Sequence, residues 1–313
     1  MSVPTALGSS GDSNFEKPLS PSDLWTSKKI LSWSVDHLSK NGSLSPRLDA
    51  ELLLSFSLGI TRIQLYCDMD KPLHISERDR FKALLRRRAL GEPIAYILGY
   101  KEFFGLKFEV NSAVLIPRPD SELILQLAQE EFPADAHLNV VDMGAGSGCL
   151  ALSLASCFEH AKCEGWDISS AALEVARRNA DILGLSSRAT FSESDLALQH
   201  TWGSFPKFDL CVANLPYIGE SERATLARDV LNFEPSLALF SGDDGLCLIR
   251  QVISGLPKLL DVRKPSLSLF EIGASQGEAV KKLFEEAAFW DRIEVRQDLS
   301  GNDRVVWAKR SEH

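Results

Sequence analysis

VVDMGAGSGCLALSL, residues 140–154, runs from apolar strand formers through three closely spaced glycines into the next helix. Gly144, Gly146 and Gly148 let a tight turn leave the strand, because glycine tolerates backbone conformations that side chains forbid. Such a turn leaves backbone N–H groups, with Ala145 and Ser147 between the glycines, and the start of the next helix facing a ligand. No Gly-Lys-Ser/Thr follows, which argues against a P-loop, and the GxGxG spacing lacks the last glycine placement of the dinucleotide pattern. A purely structural tight turn is the competing reading.

Downstream of Asp120, apolar strands alternate with helical segments. They are Leu138 to Met143, Ala161 to Trp166, Ala189 to Phe191, Phe208 to Ala213, Ser266 to Ile272, Ile293 to Val295 and Arg304 to Ala308. This alternation predicts an α/β fold with a doubly wound, mostly parallel seven-stranded sheet. The last two strands have no helix between them and are expected to form an antiparallel pair. Upstream the pattern is helical: Ser22 to Lys40 ends before Asn41-Gly42, and Ser45-Pro46 opens a helix through Leu58 that Gly59 closes. Thr61 opens a short third helix, and Ser76 with Asp79 starts a fourth that runs to Leu90. Tyr100 to Pro117 alternates strand formers around Gly105 and Asn111, which predicts a β-hairpin. The expected organisation is a disordered tail at 1–20, a helical bundle at 21–92, a hairpin linker at 93–119 and the sheet domain at 120–313.

Composition narrows the class of protein. The 313 residues are 44% hydrophobic and 25% charged, as in soluble globular chains. No apolar run approaches the roughly 18 residues that span a bilayer. The first twenty residues are rich in Ser, Gly and Pro, carry Lys17 as their one basic residue and have no apolar segment of signal-peptide type. The expectation is a cytoplasmic protein with no membrane association. Six cysteines form no CxxC pair and six histidines form no HxxxH or HxH pair, so the thiols are expected to be reduced and no metal is assigned. Charge divides unevenly. Residues 1–120 hold 16 Lys and Arg against 14 Asp and Glu, and the remainder holds 18 against 29. An acidic catalytic half lacks the positive surface with which proteins displace counterions from nucleic acid, so no stable nucleic-acid binding is expected.

A second segment carries the chemistry. Ala213-Asn214-Leu215-Pro216-Tyr217 follows the apolar run Phe208 to Val212. An Asn-x-Pro-Tyr sequence at a strand's carboxyl end offers a side-chain amide oxygen, a backbone carbonyl at Leu215, a rigid turn at Pro216 and the aromatic face of Tyr217. Two acceptors and a ring suit a planar NH2 group and leave one face of its nitrogen open to an electrophile. An ordinary Asx-turn closing the strand is the plain alternative. Asp167, at the end of the second strand, is placed to accept the hydroxyls of an adenosine ribose, and a helix-capping role there is compatible. Asp195 is placed to accept from an adenine amino group, or is a loop aspartate, and Leu196 would pack on the ring. Together these residues point to methyl transfer from S-adenosyl-L-methionine to an amide or amino nitrogen.

Three stretches resemble the peptide chain release factor N5-glutamine methyltransferases. They are RRRALGEPIAYILGYKEFFGLKFEVNSAVLIPRPDSE at 86–122, VVDMGAGSGCLALSL at 140–154, and Phe208 to Tyr217 with NFEPSLALFSGDDGL at 232–246. The resemblance implies a Rossmann-like class I methyltransferase domain and an N-terminal helical domain that helps recognise the release factor. It also implies cofactor contacts from Gly144 to Gly148, Asp167, Asp195-Leu196 and Asn214, with the substrate glutamine held by Asn214 to Tyr217. The implied partner is a class-1 peptide chain release factor, placing the chain in translation termination, and a monomer is expected. Leu215 stands where the family usually has proline, and Asn-Leu-Pro-Tyr is typical of adenine dimethylases of ribosomal RNA. Competing functions are glutamine methylation of a ribosomal protein, N6-adenine methylation of RNA or DNA, and a binding module without turnover.

Overall fold

The computed structural model describes residues 24–199, 202, 207–261 and 264–311, so the tail expected at 1–20 lies outside the described residues. The chain forms two compact units that divide after Leu90. In the first, four helices follow one another: α1 (Ser27–Lys40), α2 (Pro46–Leu58), α3 (Arg62–Cys67) and α4 (Ile75–Ala89). Thr26 caps α1 by accepting from the Lys29 N–H, and Gly59 ends α2 in the left-handed conformation, φ 67°. Thr61 and Gln64 close a reciprocal capping box on α3. The fourth helix starts one residue earlier than Ser76 suggests. His74 is its cap, because the Glu77 carboxylate reaches back to the His74 N–H at 2.7 Å. Leu38, Ala50, Leu53, Leu54 and Leu65 form the interior of this unit.

The second unit opens with a five-residue helix, α5 (Ile94–Leu98), in the part of the expected hairpin linker that precedes the hairpin. Strands β1 (Tyr100–Phe103) and β2 (Leu106–Glu109) then pair in antiparallel fashion. Their turn residues, Phe104 and Gly105, both have positive φ, the conformation of a two-residue turn matched to strand twist. The hairpin is shorter than the expected 100–117. Val110, Val114 and Ile116 are apolar because they are buried with Tyr96, Ala172 and Val175, and not because they pair in a ladder.

The remaining elements are α6 (Glu122–Glu131), β3 (Asn139–Met143), α7 (Cys149–Cys157), β4 (Lys162–Asp167), α8 (Ser170–Ile182), β5 (Ala189–Glu193), β6 (Leu210–Ala213), α9 (Arg228–Phe233), α10 (Cys247–Gly255), β7 (Ser266–Glu271), α11 (Gly277–Glu286), β8 (Arg292–Gln297) and β9 (Asp303–Arg310). The seven strands β3 to β9 form one sheet in the order β5-β4-β3-β6-β7-β9-β8. Six strands run in one direction, five of them paired in parallel, whereas β9 runs antiparallel to both of its neighbours, β7 and β8. One face is covered by α6, α7 and α8 through Leu125, Leu152 and Leu173, and the other by α10 and α11 through Val252, Val280 and Phe284. The chain leaves β3 toward β4 and β5, then returns to lay β6 on the other side of β3. Ligands of such sheets sit outside the carboxyl ends of the strands at this reversal.

Candidate active site

Parallel register sets the site. Met143 is level with Trp166 on one side and Ala213 on the other, and Ala213 is level with Phe270. The next residue on each strand therefore falls into a row along the sheet edge: Asp167, Gly144, Asn214, Glu271. Gly144, Gly146 and Gly148 have φ of 78°, 53° and 77°, as the tight turn requires. The turn is bound to its neighbour by the Gly144 and Ala145 N–H groups, which donate to the Trp166 carbonyl at 2.8 and 2.9 Å. Gly148 must also lack a side chain for space: a Cβ there would lie 2.9 Å from the Phe191 ring.

Asp167 accepts from the Gly146 N–H and the Ser169 N–H, both at 2.9 Å. Burial raises its pKa, against the pull of those backbone bonds. Ser169 in turn caps α8. Asp167 is therefore not itself the cap of α8: it holds the backbone of the capping residue while lining the cavity, since a carboxylate oxygen has a second lone pair. Asp195 accepts from the Ala197 N–H at 2.9 Å, and Leu196 is buried against the cavity wall. Asp142, at the end of β3, accepts from the Ala151 N–H in the first turn of α7 at 3.0 Å. Its other oxygen, Oδ1, is buried with no hydrogen-bond partner among the described residues, and burial pushes its pKa up to about 7.

Asn214 belongs to a connected chain of side chains. Its Nδ2 donates to Ser121 Oγ at 3.0 Å, Ser121 Oγ donates to Glu271 Oε2 at 2.5 Å, and the Tyr217 hydroxyl donates to Glu271 Oε1 at 3.4 Å. Glu271 is 1% exposed, and burial drives its pKa up to about 7 despite the Ser121 bond and the Arg304 charge. Asn214 lines the cavity, and among the described residues its side chain is hydrogen-bonded through Nδ2 and not through Oδ1. Leu215 is buried in the core cluster with Met143, and Pro216 lines the cavity. Tyr217 is placed differently from the expectation. It lines a separate neighbouring hollow with Gln276 and Arg304, because its ring follows its hydroxyl toward Glu271. Glu234 is likewise occupied: it accepts from the Ile116 N–H at 3.0 Å and pairs with Arg118. It clamps the segment before α6 and is not free to act as a base.

The cavity along this row has a volume of about 290 Å³. The glycine loop, Asp142, Asp167, Asp195, Leu196 and Asn214 to Pro216 line it, together with Val114, Arg118 and Ser121 from the segment after the hairpin and Leu237 and Phe240 from the segment after Glu234. A methyltransferase small domain model matches residues 120–236, and a PrmC N-terminal domain model matches residues 29–99. The release factor glutamine methyltransferase of Geobacter sulfurreducens is 39% identical over 93% of this chain and 98% of its own length. The chain belongs to the release factor glutamine methyltransferase family. The Bacillus subtilis protein of the same name is 37% identical over 90% of this chain and 96% of its own. The fold alone is shared with the hMettl16 catalytic domain solved with the MAT2A 3'UTR hairpin 6: TM-score 0.51 and 14% identity, covering 74% of this chain and 82% of that one.

As in a release factor glutamine methyltransferase, the methyl donor is S-adenosylmethionine, and the walls suit it. The orphaned Asp142 Oδ1 is a buried acceptor for a cationic or N–H group, a Cβ on Gly146 would meet nothing nearer than the Gly144 carbonyl at 4.0 Å, and Leu196 supplies an apolar wall. Sequence reading placed Asp167, the glycine loop, Asp195, Leu196 and Asn214 to Pro216 around one cavity without assigning Asp142, Ser121 or Glu271. A signal for Glu271 was present. It ends Ser266-Leu-Ser-Leu-Phe-Glu271, where every residue is buried, and an acid inside a buried strand marks a functional candidate.

Proposed function

We propose that this enzyme transfers a methyl group from S-adenosylmethionine to the side-chain amide nitrogen, N5, of the glutamine in the Gly-Gly-Gln motif of class-1 peptide chain release factors. The observation that carries the reading is the fixed amide of Asn214: its NH2 is taken by Ser121, so its oxygen is left for the cavity. Asn214 Oδ1 and the Leu215 carbonyl accept the two N–H bonds of the substrate amide. An amide nitrogen is a poor nucleophile because its lone pair is shared with the carbonyl. Accepting both hydrogens moves electron density back onto nitrogen, and holding it in line adds an approximation effect bounded by the roughly 7–11 kcal/mol of ideal intramolecular reactions. The donor supplies an electrophilic methyl on a sulfonium. The methylated amide becomes acidic enough to lose its proton to water, so no general base is needed and Glu234 is not one. Gly144 to Gly148, Asp167, Asp195 and Leu196 hold the donor in this reading.

The helical segment 21–92 helps recognise the release factor. The enzyme works as a monomer in the cytoplasm without stable nucleic-acid binding, in keeping with the acidic balance after residue 120. Among the described residues no helix is long and apolar enough to cross a membrane. The test is mass spectrometry of purified release factor, ribosomal proteins and ribosomal RNA after incubation with enzyme and S-adenosylmethionine. The expected product is one added methyl on the Gly-Gly-Gln peptide. Asn214→Ala should lower that turnover by about a hundredfold or more, as removal of a transition-state hydrogen-bonding group does elsewhere. Methyladenosine in the RNA beside an unmodified peptide would overturn the reading and make Leu215 the better guide to substrate.

A further inference from the structure

We propose that Glu271, acting through Ser121, is the positioning residue that keeps the Asn214 amide turned with its oxygen toward the substrate. The inference rests on the amide-methylation reading above and adds the device that makes Asn214 an acceptor. An asparagine amide is nearly symmetric in shape, and shape alone does not decide which end faces the cavity. Donor and acceptor bookkeeping decides it. An ionised carboxylate only accepts, so the single Ser121 hydroxyl proton goes to Glu271 Oε2. The Ser121 oxygen then has only lone pairs to offer, and Asn214 must present Nδ2 to it. Oδ1 is left facing the cavity.

Tyr217 already donates to Oε1, so a proton taken up by Glu271 goes to Oε2, and protonation there reverses the chain. The carboxylic acid donates to Ser121 Oγ, the hydroxyl donates in turn to Asn214, and Asn214 must offer Oδ1 to Ser121. Its NH2 then faces the substrate NH2, and two donors meet. Turnover therefore requires the ionised form. The groups facing Glu271 are Arg304 of β9, which favours ionisation; Asp120 of the segment before α6, which opposes it; Tyr217, whose hydroxyl donates to Oε1; and Cys149 at the head of α7, whose thiol burial holds neutral with a pKa near 12. Burial outweighs these and places the Glu271 transition near pH 7. A purely structural strand end here would be better served by an apolar residue, because a buried carboxylate carries a desolvation cost.

The test is kcat for release factor methylation, at saturating substrate and S-adenosylmethionine, measured across the pH range for wild type, Glu271→Gln and Ser121→Ala. Wild-type kcat is expected to fall on the acid side with an apparent pKa near 7. Glu271→Gln should lose that inflection, since its side chain cannot titrate. Ser121→Ala should lower kcat by about tenfold or more, the value of one hydrogen bond, while cofactor affinity by calorimetry stays within about twofold. An unaltered wild-type inflection in Glu271→Gln, or full kcat in Ser121→Ala, would overturn the positioning role while leaving the proposed reaction standing. A wild-type enzyme that leaves the release factor unmethylated would overturn both.

Discussion

Asp167 shows how one side chain serves both scaffold and ligand. Its two oxygens already hold the Gly146 and Ser169 N–H groups, which fixes the glycine loop and the start of α8 at once. Each oxygen keeps a further lone pair, and the residue lines the cavity. Asp167→Ala should therefore weaken S-adenosylmethionine binding by about tenfold or more, a typical loss for hydrogen bonds to a charged group. Titration calorimetry reads this directly, and unchanged affinity would count against the ribose contact. Glu234 makes the opposite point. It lies within a stretch that lines the cavity, yet both its oxygens hold the segment at Ile116 and Arg118. Two stretches of the family resemblance, more than a hundred residues apart in the chain, meet in that clamp.

At the scale of elements, the loop after β6 explains how leucine stands where the family has proline. A proline stiffens a loop by locking φ. Leu215 instead anchors it by burial: its side chain is 2% exposed in the core cluster and lies close enough to Gly144 that a Cβ there would be 3.2 Å from Leu215 Cδ2. The loop that carries Asn214 is thus pinned to the glycine turn beside it. Leu215→Ala should cost about 3 kcal/mol of stability through the cavity it leaves. It should also lower turnover, since Asn214 would lose its support; denaturant unfolding and kcat on the release factor measure the two effects. A variant as stable as wild type would mean that the loop is held by Pro216 alone. The hairpin is tied in similarly, with Asn179 of α8 bonding Glu109 of β2 and the Ser147 carbonyl of the glycine turn.

For the whole molecule, two buried acids set a pH dependence. Asp142 and Glu271 are both pushed up to about 7 by burial, above their ordinary values of 3.8 and 4.5. The folded state thus holds these protons more tightly than the unfolded chain does, so the stability they contribute is full below the ordinary values and is lost as pH rises toward 7. Glu51, Asp244 and Asp298 are shifted down, and their effects belong to lower pH. Melting temperature should accordingly fall between about pH 5 and pH 8, and Glu271→Gln should flatten part of that slope, each pKa unit being worth about 1.4 kcal/mol. A melting temperature that rises across this window would contradict the assignment. All seven strands, the glycine turn and the Asn214 segment were legible in the sequence alone, because each is a local pattern: apolar period, punctuating glycine, strand-end polar residue. The helix at Ile94–Leu98 and the short hairpin were not, since apolar residues there serve burial and their spacing does not distinguish it from pairing. Nor could the chain by itself set Ser121 and Glu271 on Asn214, turn Tyr217 away from the cavity or occupy Glu234. Those assignments depend on strand order and parallel register, which bring residues 121, 214 and 271 together only when the whole sheet has closed around its core.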